Sequence, residues 1–152
     1  MWIFIRDKLS YIAFFTMLII VILIIQKGCA VLDKYFVYYP SHELALTPVD
    51  VGLDYEDVNL TTADGIEIHG WFIPGETETV LTLFHGNAGN IGDRLDYINL
   101  MHTYLGASIF IFDYRGYGLS QGSPSESGLY LDAEAAVEFA IDKVGSGGGT
   151  QN

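Results

Sequence analysis

Two apolar runs, TVLTLF at 79–84 and ASIFIFDY at 107–114, constrain the fold of this chain more than any other feature. Each is compact and lacks the polar alternation of a half-solvated strand, so each suits a strand covered on both faces in a parallel sheet. Between them stand a Gly-rich loop, HGNAGNIG (85–92), and the segment DRLDYINLMHTYLG. In that segment Leu95, Ile98, Met101 and Leu105 share an apolar helical face that is expected to meet the sheet, and Gly106 closes the helix. Strand, loop, helix, strand is a βαβ unit, so the chain is expected to be α/β with a parallel sheet.

Upstream, YEDVNLTTADGIEIHGWFIPG reads as an antiparallel hairpin leading into that unit. Val58 and Leu60 alternate with polar neighbours, Asp64-Gly65 supplies the tight turn, and Ile66, Ile68 and Trp71 to Ile73 form the return strand. Downstream, SGLYLDAEAAVEFAIDKV (127–144) predicts a second helix whose buried stripe is Leu129, Ala133, Ala136, Val137, Ala140, Ile141 and Val144. Glu134, Glu138 and Asp142 take the wet side. The last residues, GSGGGTQN, have linker composition.

The amino-terminal third obeys different rules. From Leu9 to Ile25 there is no charge and no Gly or Pro. As a helix this run would extend ~25 Å at ~1.5 Å per residue, and Gln26 with the stem of Lys27 would bring it near the ~30 Å of a hydrocarbon core. It shows no polar stripe, so a membrane anchor over 9–26 is expected, with lipid as its partner. A cleaved signal peptide is disfavoured by IIQKGCA, which offers only Gly28 and Ala30 as small residues. Cys29, the only cysteine, is a membrane-proximal thiol or an acylation site and allows no internal disulfide. Arg6 and Lys8 on one side nearly balance Lys27 and Lys34 on the other, and the short N-terminus favours a cytoplasmic start with the domain across the membrane. The organisation expected is a flank (1–8), the anchor (9–26), an aromatic and Pro-punctuated linker (27–49), an α/β domain (50–144) and a Gly-rich tail (145–152).

Charge separates the same regions. Four of the seven Lys and Arg, but only Asp7 and Asp33 of nineteen acidic residues, lie in 1–34. That leaves three basic against seventeen acidic residues from 35 onward, a net charge of −14. Such a surface repels phosphate backbones, so no nucleic-acid partner is expected.

At FHGNAGN and DYRGYGLSQG the chain resembles the α/β-hydrolase superfamily, closest to its membrane-anchored bud-emergence and depalmitoylase-like branch of serine hydrolases. The resemblance covers roughly 35–144, including the aromatic entry YFVYYPS, and implies the N-terminal half of that fold. It also implies hydrolysis of ester, thioester or amide bonds without a cofactor, a small acyl substrate being handled only by a complete enzyme. In this superfamily a backbone N–H in the loop after the third strand stabilises the oxyanion of acyl transfer. By resemblance that donor is Asn87, with His85, Gly86 and Gly89 shaping the loop.

GLSQG (118–122) matches the serine-hydrolase pattern G-x-S-x-G, which makes Ser120 a candidate nucleophile. A nucleophile elbow sits on a sharp turn directly between strand and helix. Ser120 lies six residues past the strand that ends near Tyr114, and Gly122, Ser123 and Pro124 keep a helix from starting at Gln121. The match is therefore read as a decoy in a structural loop of Asp113, Arg115, Gly116 and Gly118, with Asp113 and Arg115 tied to each other by a charge-assisted bond. No other serine has the paired glycines. Nucleophile, acid and histidine are expected beyond Asn152, which would leave the chain inactive as given and its TVLTLF strand at an open, aggregation-prone edge.

His85 is read as structural, since the resembled order places the catalytic imidazole far downstream. His42, His69 and His102 have no spaced partners, and no metal site is expected. Two competing readings remain. A dinucleotide-binding βαβ unit would use Asp113 as its ribose acid, but Gly86, Gly89 and Gly92 give G-x-x-G-x-x-G where G-x-G-x-x-G is needed. The other is a non-catalytic, membrane-anchored binding protein.

Overall fold

A computed structural model of the chain describes residues 11, 12, 14–25 and 36–147. Two units emerge, Met1–Val37 and Tyr38–Asn152.

In the first unit, residues 11–25 form helix α1, residue 13 lying outside the description. Its large apolar side chains are exposed from Tyr11 to Ile25, and the Thr16 hydroxyl donates back to the Ile12 carbonyl at 3.0 Å. Among the described residues no helix is long and apolar enough to cross a membrane. The transmembrane helix expected over 9–26 is thus not supported. At ~1.5 Å per residue the described helix reaches only ~22 Å of a ~30 Å core. Residues 9, 10, 13 and 26 of that expectation, and Cys29, lie outside the described residues.

Among its described residues the second unit holds six strands: β1 (Tyr39–Pro40), β2 (Glu56–Thr61), β3 (Glu67–Ile73), β4 (Val80–Leu83), β5 (Ala88–Gly89) and β6 (Ser108–Phe112). Helix α2 (Leu95–Leu105) joins β4 to β6, and α3 (Glu126–Gly147) follows. The main sheet runs β2-β3-β6-β4. β2 and β3 are antiparallel, with Leu60 opposite Ile68, and β3 is antiparallel to β6. β4 is parallel to β6, with Leu81 opposite Ile109 and Leu83 opposite Ile111. The hairpin and the βαβ unit both form as the sequence predicts. β1 pairs with β5 in a separate two-stranded ribbon, so part of the stretch read as a linker enters the unit.

Strand alternation explains why β6 is apolar at each of the four positions from Ile109 to Phe112. Ile109 and Ile111 point into one core with Trp71, Ile73, Leu95 and Ile98, under α2. Phe110 and Phe112 point into the other with Phe72, Val58 and Ala136, under α3, where Phe139 tilts against Phe110 at 4.5 Å. A strand covered on both faces has no side on which a polar residue would be solvated.

β4 differs. It pairs with β6 alone, and all four of its residues are only half-buried. Next to it, Val137, Ile141 and Val144 of α3 are exposed and flank a shallow groove of ≈ 310 Å³ with Val80 and Thr82. These three were expected in the buried stripe. Ala136 and Ala140 alone among its members are fully covered. Leu105 is likewise exposed at the end of α2, although Leu95 and Ile98 are buried and Met101 packs on the core. The helical faces are placed as their periodicity requires, but no described strand lies beyond β4 to cover their outer margins.

Candidate functional site

The two Gly-rich loops leave the sheet at the C-terminal ends of β4 and β6, the parallel pair. In the first loop, the His85 side chain is fully buried between the rings of Tyr114 and Tyr117, at 4.9 and 5.3 Å. Its Nδ1 lies 2.7 Å from the Gly86 carbonyl, and its Nε2 lies 3.4 Å from Asp113 Oδ1. Gly86, Asn87 and Ala88 are exposed beyond it. The Asn87 carbonyl accepts hydrogen bonds from the Tyr39 N–H and the Tyr117 hydroxyl, both at 2.8 Å. Burial raises the Tyr117 phenol above its ordinary range, which keeps it a donor.

Asn90 ends the loop and caps a 3-10 turn at Ile91–Arg94. Its Oδ1 accepts from Gly92 N–H at 2.9 Å, while Asp93 accepts from Asn90 N–H at 3.0 Å, a reciprocal cap. The Asn90 amide also donates to the Glu43 carbonyl at 2.7 Å, tying the loop to the entry segment. Gly89 is required here: it sits at φ 79°, and a side chain would strike the Asp93 carboxylate. Gly86 is different, since a Cβ there meets nothing within 4 Å and its φ is not positive. Its smallness leaves the surface above the loop open.

Beside this loop lies a cleft of ≈ 370 Å³ lined by Leu83, Phe84, His85, Gly86, Arg94, Tyr97 and Ile111. Its walls are largely apolar, with backbone of the first loop on one side. Arg94 reaches across to donate to the Ala88 carbonyl from Nη2 at 2.6 Å. An apolar cleft with polar backbone at its margin has the form of a site for a small, mostly apolar ligand.

The second loop is a buried electrostatic assembly. Ser120 is buried, its hydroxyl donating to the Asp113 carbonyl at 2.7 Å and accepting from the His69 N–H at 2.8 Å. It stands eight residues beyond the end of β6, in a turn closed by Ser120 N–H to the Tyr117 carbonyl at 2.9 Å. The Asp113 carboxylate, fully buried, accepts from Ile91 N–H at 3.0 Å and so connects the two loops. Gly118 (φ 48°) lies against it, where any Cβ would collide with the carboxylate.

The bond expected between Asp113 and Arg115 does not form. Arg115 turns the other way, onto Asp132 of α3 and Asp64 of the β2–β3 turn. Its Nε donates to Asp132 Oδ1 at 2.9 Å, its Nη1 to Asp64 Oδ2 at 2.8 Å and its Nη2 to Asp64 Oδ1 at 3.0 Å. The backbone N–H of Arg115 adds a bond to Asp132 Oδ2 at 2.9 Å. Hydrogen bonds from Arg115, then Thr62, hold the Asp64 carboxyl well below its ordinary range, and the same partner raises the guanidinium. Residues two apart in an extended strand share a face, but β6 ends at Phe112 and Arg115 already lies in a turn, so Asp113 meets the first loop through the Ile91 N–H while Arg115 meets α3.

Hence His85, Gly86, Asn87 and Asp113 are gathered at one end of the sheet, whereas Arg115 belongs to a separate clamp. Asp132, Asn90 and Tyr117 were not singled out from the sequence. Asn90 was findable, because N-I-G-D carries the spacing of a reciprocal cap. Asp132 was not: it looks like any polar position of a surface helix.

Comparisons with known proteins fit this geometry. No protein-family model matches the chain. It is 37% identical over 126 residues to the alpha/beta hydrolase domain-containing protein WAV2 of Arabidopsis thaliana, covering 76% of this chain and 41% of that protein. It is 37% identical over 106 residues to protein bem46 of Schizosaccharomyces pombe, covering 67% of this chain and 36% of that protein. An uncharacterized membrane protein of Saccharomyces cerevisiae, YNL320W, is 47% identical over 93 residues, 60% of this chain and 32% of its own length. Among solved structures, the esterase Pf2001 of Pyrococcus furiosus superposes with a TM-score of 0.61 at 27% identity, over 70% of this chain and 42% of the esterase. An alpha-beta hydrolase of Vibrio vulnificus gives 0.52 at 29% identity, over 64% and 33%. The chain spans about two-fifths of the length of the curated relatives it matches.

Proposed function

The chain belongs to the α/β-hydrolase superfamily, in its bem46-like branch, and from that premise we propose that it supplies the oxyanion-binding side of a serine-hydrolase site. In this reading the backbone N–H of Asn87 faces the developing oxyanion, and the apolar cleft beside His85 and Gly86 takes the acyl part of an ester, thioester or amide. Donors fixed before the reaction stabilise the tetrahedral intermediate without reorganising, which is the largest single source of rate enhancement at such sites. Asp113 and Ser120 hold the loops in place and take no part in bond making. Ser120 is then expected not to attack a substrate.

One observation carries this reading: the Ser120 hydroxyl is buried, with its proton donated to the Asp113 carbonyl and its lone pair engaged by the His69 N–H. A nucleophile needs an exposed oxygen and a base to take its proton, and the group receiving this proton is a carbonyl. The test is a fluorophosphonate probe applied to the 152-residue chain. No covalent adduct is expected, and phosphonylation at Ser120 would overturn the proposal.

Residues 9–26 are proposed to associate with lipid. Support comes from the exposed apolar side chains of α1 and from the similarity to a yeast protein named as a membrane protein. Co-sedimentation of the chain with phospholipid vesicles is the expected result, and a chain that stays in the supernatant would refute it.

A further inference from the structure

The chemistry of both ring nitrogens of His85 points to a function that burial alone does not explain. Nδ1 lies 2.7 Å from the Gly86 carbonyl, a group that can only accept, so Nδ1 must carry a hydrogen. That carbonyl belongs to the peptide joining Gly86 to Asn87. The peptide is trans, and in a planar trans peptide C=O and N–H point in opposite directions. Holding the oxygen of Gly86 therefore sets the direction of the Asn87 N–H.

The other nitrogen faces a charge. Nε2 and Asp113 Oδ1 are 3.4 Å apart with both side chains fully buried. The separation is long for a hydrogen bond, and Nε2 has no hydrogen-bond partner. Oδ1 has one hydrogen bond, from Ile91 N–H, and Oδ2 is buried without a partner. A buried carboxylate so thinly satisfied needs a compensating proton or cation. Arg115 is spent on Asp64 and Asp132, and the remaining groups packed on the ring are the phenols of Tyr114 and Tyr117, both raised by burial and neutral. The Nε2 edge of His85 is the polar side-chain group left facing it.

We propose that His85 is a positioning device for the Gly86–Asn87 peptide, donating the hydrogen on Nδ1 to the Gly86 carbonyl while its Nε2 edge is turned to the buried Asp113 carboxylate. The ring is a positioning residue, acting on the substrate through the peptide it orients. Only the catalytic consequence rests on the reading of Asn87 as oxyanion donor. The hydrogen on Nδ1 does not.

Nitrogen NMR of the labelled 152-residue chain in detergent tests it directly. The expected spectrum shows hydrogen on His85 Nδ1, and the state with hydrogen on Nε2 alone overturns the proposal. Two substitutions separate orientation from packing. His85→Phe keeps a ring between the two tyrosines but cannot donate, whereas His85→Asn loses the ring and keeps a donor near the Nδ1 position. Loss of this hydrogen bond is expected to shift the Gly86 carbonyl-carbon and Asn87 amide resonances in His85→Phe, with His85→Asn closer to the parent. Equal shifts in the two variants, or resonances unmoved in His85→Phe, refute the device. Should either variant fail to fold, the ring-nitrogen spectrum of the unaltered chain still decides. None of these readouts involves the phosphonate probe, so failure here and failure of the hydrolase reading remain distinguishable.

Discussion

The loops after β4 and β6 are both glycine-rich and both end a parallel strand, yet one is open and the other sealed. Gly86, Asn87 and Ala88 are exposed, while Asp113, Arg115, Tyr117 and Ser120 are buried. Glycine serves each loop differently. At Gly118 it makes room for the Asp113 carboxylate, whereas at Gly86 it leaves open space. The loop that fits a catalytic motif letter for letter is the structural one. The loop with no such motif faces the cleft. A short pattern records residue types and spacing, but reactivity depends on burial and on what the hydroxyl is already bonded to.

That contrast can be broken most forcefully at the clamp. Arg115→Ala leaves the carboxylate of Asp132, fully buried, without its cation, and is expected to cost about 3–5 kcal/mol in urea unfolding. A loss below about 1 kcal/mol would show the second loop to be less sealed than its burial implies. Gly118→Ala comes next, forcing a side chain into positive φ and against Asp113, with a loss of at least about 2 kcal/mol by the same assay. Ser120→Ala strands the buried His69 N–H and is expected to cost about 1–3 kcal/mol while leaving probe labelling unchanged.

Acid sharpens the comparison further. The Asp64 carboxyl is held below its unfolded value, so the stability it contributes is complete above about pH 4 and is lost as pH falls toward its lower folded value. Its side chain is 42% exposed, so the effect is modest and weakens with salt. Asp64→Asn is expected to flatten the decline of the urea midpoint below pH 4, and an unchanged decline would remove Asp64 from the account. Gly86→Ala should be smallest, within about 0.5 kcal/mol of the parent, because the added methyl meets open space.

β4, α2, β6 and the β2–β3 hairpin were legible because each is encoded by the periodicity of a few consecutive residues. The first glycine-rich loop was legible as a position, since it must follow the strand TVLTLF. The Arg115 clamp was not, because Asp64 is 51 residues away and Asp132 is 17 residues away on a helix whose other acidic residues face water. The exposure of Leu105, Val137, Ile141 and Val144 also escaped local reasoning. Periodicity says which side of a helix is apolar, but only the neighbouring elements say how far that side is covered.

By itself, the sequence determined the alternation of strands and helices, the family and the acidic character of the second unit, because all three depend on residue type and short-range order. Tertiary structure alone decided that Ser120 is sealed, that Arg115 turns from Asp113 to Asp132 and Asp64, and that both nitrogens of His85 face acceptors. Those outcomes are set by hydrogen bonds and charges between segments far apart in the chain. Their energies depend on burial, which no local pattern specifies.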